Sequence, residues 1–250
     1  MKKAFLTIFL VLIFAACNEE DAPDCFQTAG KMISEEVELP AFEELIVYGR
    51  IKLYIEQGEE QKVVIKSGEN LISEVTAEVQ NGRLSLRNGN ECNFFREYDL
   101  TSVHITVPNL SWLQNAGNNT IESVGELHFP EIWLRSFNQE KDPEIYTNGD
   151  FDLHLVSDYV RITSDNYSNF FLTGETRYFD VYIADGDTRL EAADFPADIV
   201  EIQHRGTNKL IVNPLQTIKG EIRSTGDVIS VRRPENVSIE TFYSGKLIFQ

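Results

Sequence analysis

From residue 37 onward, apolar and polar residues alternate in short runs. Leu45-Ile46-Val47, Ile51-Lys52-Leu53-Tyr54-Ile55 and Lys62-Val63-Val64-Ile65-Lys66 are followed by Val75 to Val79, Leu84-Ser85-Leu86 and Val103 to Val107. A period of two, bounded by Gly, Asn and Asp, predicts half-buried strands. Asn81-Gly82 predicts a tight hairpin between two of them. Only Glu69 to Glu74 suggests a helical turn. The pattern therefore predicts an all-β chain.

The second half repeats. An apolar-x-apolar step followed by a small polar turn recurs at Leu134-Arg135-Ser136, Val160 to Asp165, Val181 to Gly186, Val200 to Gly206 and Gly220 to Gly226. Ile162, Ile183, Ile202 and Ile222 are spaced by 21, 19 and 20 residues. A period near 20 suits one coil of a β-solenoid, in which each rung stacks on the next and apolar side chains fill the column. A propeller blade needs about twice that period, and an immunoglobulin-type sandwich shows no regular repeat. The block of strands before the repeat and the last segment, Thr241 to Phe249, are placed to cap the two ends.

The N-terminus has a different pattern. Lys2 and Lys3 precede 13 uncharged residues, Ala4 to Ala16. Such a run is too short to span a bilayer comfortably and reads as a targeting leader. Phe14-Ala15-Ala16-Cys17 resembles the lipobox of bacterial lipoproteins, which implies acylation of Cys17 and a membrane tether of several chains. Phe14 stands where that pattern has Leu, which leaves a freely secreted product as the alternative. Residues 17–36 follow as an acidic tether and 37–250 as the folded domain. Glu19-Glu20-Asp21 resembles an acidic signal that sends some lipoproteins to the outer face of the outer membrane; a plain solvated linker is the alternative.

Charge narrows the partners. The net charge is −18, and loss of the two leader lysines takes it to −20. Such a surface repels phosphate backbones and anionic lipid headgroups, so nucleic acid is not an expected partner. With Cys17 carrying lipid, Cys25 and Cys92 form a matched pair in an oxidising compartment. A bridge would enclose 66 residues, and such a loop stabilises by roughly 4 kcal/mol in the chain-entropy model. Two separate buried thiols are the alternative. No CxxC or clustered histidine accompanies them, so neither a metal nor a cofactor is expected.

The candidate chemistry sits in the turns. Asp165, Asp185 and Asp187 occupy similar positions on neighbouring coils. In-register stacking would bring Asp165 near Asp185, as an acid–base pair, a shared cation site, or simply residues that favour tight turns. Tyr167, Phe170 and Phe171 cluster beyond one turn as a candidate sticky patch. Trp112 and Trp133 lie one coil apart and read as a packing ladder or a sugar platform. His104, His128, His154 and His204 lack metal-ligand spacing, and no residues are read as catalytic.

The order of several motifs resembles the head GIN-domain family of putative auto-transporter adhesins. The residues that carry it are Gly49-Arg50-Ile51-Lys52-Leu53 with the Gln57-Gly58 turn, Val75 to Val79 with Asn81-Gly82-x-Leu84, and Val103 to Val107 with Pro108-x-Leu110. Small turns at Ala116-Gly117-Asn118, Ser164-Asp165-Asn166, Ala184-Asp185-Gly186 and Ser224-Thr225-Gly226 complete it, while Ser136 to Glu144 is a larger, irregular turn. The resemblance covers roughly residues 37–249. It implies a right-handed parallel β-helix with an N-terminal strand block, and a lipoprotein at the cell surface or periplasmic face of the outer membrane. The expected function is non-enzymatic binding of a glycan or surface protein along the solenoid flank. The alternatives are a pectinase-like carbohydrate-active enzyme on the same fold, and a purely structural envelope component.

Overall fold

The computed structural model describes residues 27–90, 92–94 and 96–250. The leader, Cys17, Glu19 to Asp21 and Cys25 lie outside the described residues. Seventeen strands and one turn of 3-10 helix, Ile72–Glu74, make up the described chain. The first nine strands are β1 Met32–Glu36, β2 Glu44–Gly49, β3 Lys52–Gln57, β4 Lys62–Gly68, β5 Val75–Gln80, β6 Arg83–Asn88, β7 Ser102–Val107, β8 Trp112–Gly117 and β9 Ile121–Ser123. They continue as β10 Glu131–Ser136, β11 Phe151–Ser164, β12 Asn169–Ile183, β13 Arg189–His204, β14 Leu210–Ile222, β15 Val228–Ser230, β16 Asn236–Thr241 and β17 Leu247–Phe249.

All seventeen join one mixed sheet, strongly curled like a half-barrel around a single core. Two columns of parallel strands run through it. In one, β6, β2, β8, β10, the C-terminal halves of β11 to β14, and β16 lie side by side. In the other, β7, β3, β9, the N-terminal parts of β11 to β14, β15 and β17 do the same. The long strands β11 to β14 belong to both columns. From β11 onward each strand pairs in parallel with one about twenty residues further along, which accounts for the repeat in the second half of the sequence.

The register builds the core. Leu84, Leu45, Leu113, Leu134, Ile162, Val181, Ile202, Gly220 and Ile239 are successive partners in the first column. Val103, Leu53, Ile121, Phe151, Phe170, Leu190, Leu210, Val228 and Leu247 are successive partners in the second. Nearly all are fully buried. Each buried aliphatic side chain contributes roughly 1.5–3 kcal/mol relative to exposure. Phe151 and Phe170 stack with centroids 4.6 Å apart, so Phe170, expected on a surface patch, is a core residue. Its strand alternates, and the inward parity falls on Phe170 while Phe171 faces out.

Three sequence expectations change. Ile162 pairs with Val181 and Ile183 with Ser164, and Ile222 pairs with His204 rather than Ile202. A slip of two residues keeps the same side chains inward, so the apolar pattern fits either register. The β2–β3 pass lies between β6–β7 and β8–β9, so spatial order departs from chain order in the N-terminal block. Finally, the expected tether of 17–36 is too long. Met32–Glu36 is a strand paired antiparallel with β4, and Gln27 is buried, its Nε2 donating to the Asn70 carbonyl at 2.7 Å.

The ends differ. Antiparallel β5 covers β6, and antiparallel β4 covers β7 with β1 beyond it. At the far end, the segment expected as a cap holds β17, which with β16 makes the last rung; each pairs with a strand on one side.

Two features of the core carry direct tests. Gly49 and Gly117 are register partners, and a methyl group on Gly117 would collide with the Gly49 carbonyl oxygen. Gly117→Ala is expected to cost about 1–3 kcal/mol, the usual range for overpacking, read from denaturant unfolding. His204 is fully buried in the ladder between Ile183 and Ile222. Its Nε2 donates to the Asn208 carbonyl at 3.0 Å and its Nδ1 accepts from the Gly206 N–H at 3.4 Å, which fixes a neutral tautomer. Burial pushes its pKa below the usual 6.5. The unfolded imidazole takes up a proton that the folded one refuses, so stability falls as pH drops below about 6.5. His204→Gln is expected to flatten that loss by up to about 1.4 kcal/mol per pH unit, measured as the pH dependence of unfolding.

Candidate functional site

The irregular segment between β10 and β11 folds back over the outside of the first column. Asn138 organises it. Its Nδ2 donates to the carbonyls of Asp142 and Ile145 at 2.8 and 3.0 Å, and its Oδ1 accepts from the Asp142 N–H at 2.8 Å. Lys141 takes a left-handed conformation, φ 54°, at the tip. The Tyr146 N–H donates to the Ala116 carbonyl at 3.1 Å, and Ile145 packs on the outer cluster of Ile46, Trp112 and Ala116.

Between this segment and the turns after β11 and β12 lies an open groove of about 690 Å³. Asn138, Lys141, Tyr146, Asp165, Tyr167 and Asp185 are among its lining residues. Tyr146 and Tyr167 are 53% and 62% exposed, which leaves both rings available to a ligand. Asp165 is half-buried, and both its carboxylate oxygens accept from the Asn138 N–H, at 3.2 and 3.0 Å. Burial raises its pKa; the Asn138 N–H and the Thr147 hydroxyl oppose the rise, and the Asp185 charge adds to it. The Asp185 Oδ1 accepts from the Gly186 N–H at 2.7 Å.

In-register stacking thus brings Asp165, Asp185 and Tyr167 into one groove. Asp187 does not line it: its carboxylate is held by the Thr207 hydroxyl at 2.7 Å and the Asn208 amide. Phe170 is in the core. Asn138, Lys141 and Tyr146 escaped the sequence reading, whose only signal was the irregular length of the turn. Both aspartates take backbone N–H donors, which is the turn-forming role of Asp. Among the described residues no group of three or more His, Cys, Asp or Glu could hold a metal ion.

The rest of the outer face is a cross-strand polar ladder. The Tyr159 hydroxyl donates to Asp180 at 3.0 Å, and burial together with the Asp180 charge pushes its pKa up to about 12. The Tyr178 hydroxyl donates to Glu201, which also pairs with Lys219 at 2.8 Å. Around the bend of the long strands a second groove, about 420 Å³, is lined by residues including Phe129, Pro130, Arg177 and Leu215. No helix among the described residues is long and apolar enough to cross a membrane.

Residues 41–234 match the family model described as putative auto-transporter adhesin, head GIN domain. The chain belongs to this family. Solved structures share the fold at low identity. A putative adhesin from Bacteroides fragilis is 16% identical with a TM-score of 0.79, over 89% of this chain and 99% of that one. A putative adhesin from Parabacteroides distasonis is 15% identical, TM-score 0.66, over 89% and 99%. A putative lipid binding protein from the same species is 15% identical, TM-score 0.62, over 88% and 97%. No curated protein matches the chain.

Proposed function

We propose that this head GIN-domain protein is a non-enzymatic cell-envelope binding protein that takes a glycan in the groove between Tyr146 and Tyr167. One observation carries the reading: two exposed tyrosine rings flank a trough supplied with amide and carboxylate groups from Asn138, Asp165 and Asp185. Aromatic faces cover sugar C–H surfaces, and planar polar side chains hydrogen-bond the hydroxyls. The carboxylates are engaged by backbone N–H groups, which favours a structural and binding role over acid–base chemistry. The core column is filled by Phe129, Phe151, Phe170, Phe179 and Phe195, which favours a surface groove over an interior acyl-chain cavity.

The passes wind right-handed as a β-helix, and the domain is tethered to the outer membrane by lipid on Cys17. Cys25 and Cys92 are bridged. Support for the bridge comes from Arg96, whose guanidinium donates to the carbonyls of Gln27 and Cys92 at 3.3 and 2.9 Å and so holds the chain just after Cys25 against the Cys92 segment.

Two outcomes are expected. On a glycan array the full chain in detergent binds at least one neutral oligosaccharide, and Tyr146→Ala or Tyr167→Ala weakens that binding at least tenfold; unchanged binding in both variants refutes the groove assignment. Cys17→Ser is expected to abolish metabolic labelling with an alkyne fatty acid and to move the protein from the membrane to the soluble fraction on cell fractionation.

A further inference from the structure

The far end of the stack is open. Among the described residues β16 pairs only with β14, and β17 only with β15. The Phe242 N–H donates to the Ile222 carbonyl at 2.9 Å, and the Gln250 N–H to the Ser230 carbonyl at 3.0 Å. Successive residues of a strand turn their backbone groups to opposite sides. The N–H and C=O groups of Asn236, Ser238 and Glu240 therefore face β14 with those of Phe242. Those of Val237, Ile239 and Thr241 face away from the molecule, as do those of Leu247 and Phe249. The apolar column is open at the same place. Ile239 and Leu247 pack on the core but are only partly buried, and Val237, Phe242, Tyr243 and Ile248 are exposed. At the other end β4, β5 and β1 cover the two columns.

Such an edge is a template for another strand. Natural edges are blunted by lysine, proline or a bulge. β16 has none of these, and its register with β14 runs unbroken from Asn236 to Thr241. Charge and register select a second copy of this chain as the occupant. The protein carries a net charge of −18, so two copies repel over most of their surface. The last rung, residues 231–250, sets Arg232, Arg233 and Lys246 against Glu235 and Glu240, so like-charged molecules can meet there. The strand is also self-complementary. Antiparallel pairing about Ile239 sets Ile239 opposite its own copy, Val237 opposite Thr241 and Ser238 opposite Glu240. Every outward backbone group of β16 is then paired. Val237, Ile239 and Thr241 lie on the core side, since they continue the lines of Ile218, Gly220 and Ile222. Apolar side chains therefore meet on that side, while each Glu240 faces a hydroxyl rather than a carboxylate.

We propose that two copies of this chain join end to end through β16, paired antiparallel about a twofold axis at Ile239. The contact is isologous and closed, because each copy uses the same edge and leaves no second one for a third molecule to continue. The twofold axis reverses the stacking direction, so the two N-terminal strand blocks lie at opposite ends of the pair. Arg223 lies over the Phe242 ring at 3.9 Å and pairs with Glu221, which holds a cation beside Glu240 at the flank of the joint; the Glu240 charge acts on the same guanidinium. The joint is separate from the tyrosine groove and does not depend on glycan binding.

Sedimentation velocity of the full chain in detergent is expected to show a concentration-dependent dimer. Val237→Pro removes an outward N–H that β14 does not use, a position where an edge strand tolerates proline. It is expected to keep the fold and weaken dimerisation at least tenfold. The register has its own test. Ser238 of one copy and Glu240 of the other form a non-hydrogen-bonded pair, whose Cα atoms lie about 4.5 Å apart, within the reach of a disulfide. A mixture of Ser238→Cys and Glu240→Cys chains is expected to cross-link as a heterodimer on oxidation, whereas either variant alone cross-links no more than the wild type. Monomer at every concentration, wild-type association in a folded Val237→Pro chain, or equal cross-linking by a single variant each overturns the proposal. So does capture of a different envelope protein by these cysteines without dimer, which would make the edge a site for that partner.

Discussion

Parallel, in-register pairing of strands about twenty residues apart is the constraint on which the molecule rests. Once Leu134 sits on Ile162 and Ile162 on Val181, every second residue must point into one shared column. Backbone N–H and C=O groups are then satisfied by the neighbouring rungs. The same pairing decides where a side chain cannot exist, as at Gly117 against the Gly49 carbonyl and at Gly220 against the Ile202 carbonyl.

The outer surface inherits that order. Cross-strand neighbours on one face form lines, and the line from Trp112 through Trp133, Arg161, Asp180 and Glu201 to Lys219 runs from aromatic to charged. Complementary groups meet along much of it, so tyrosines, carboxylates and cations are held by their neighbours. Individually such exposed pairs contribute little; together they fix side-chain geometry on a rigid sheet. Arg135 stands out because the same register that supplies partners elsewhere gives it Gln114 and Thr163. The tyrosine groove forms where this regular surface is interrupted, between the β10–β11 segment and the following turns.

The candidate site was partly legible in advance. Asp165 and Asp185 occupy equivalent turns, so their approach follows from the repeat. Tyr167 was legible only as one of three aromatics beyond a turn, and the structure leaves it exposed. The burial of Phe170 was not legible, because Tyr-x-x-Phe-Phe gives no clue to which aromatic takes the inward parity. Asn138 was invisible because a side chain that bonds the backbone of its own loop leaves no periodic trace, and Tyr146 because it lies in the same irregular segment, outside any alternating run. Arg83, Arg87, Arg135 and Arg161 are scattered over 78 residues of sequence, and only stacking of strands brings them to one face.

Alternation, turn residues and the twenty-residue spacing by themselves determined an all-β chain of short rungs with apolar ladders, and the motif order determined its family. Tertiary structure decided the register, because a two-residue slip preserves the inward face and the apolar pattern is blind to it. It also decided that β2–β3 inserts between later passes, since parallel pairing depends on which edge is open rather than on chain order. The final partnering of charges and rings was decided there too: neighbours across strands are set by register, and register is a property of the assembled sheet.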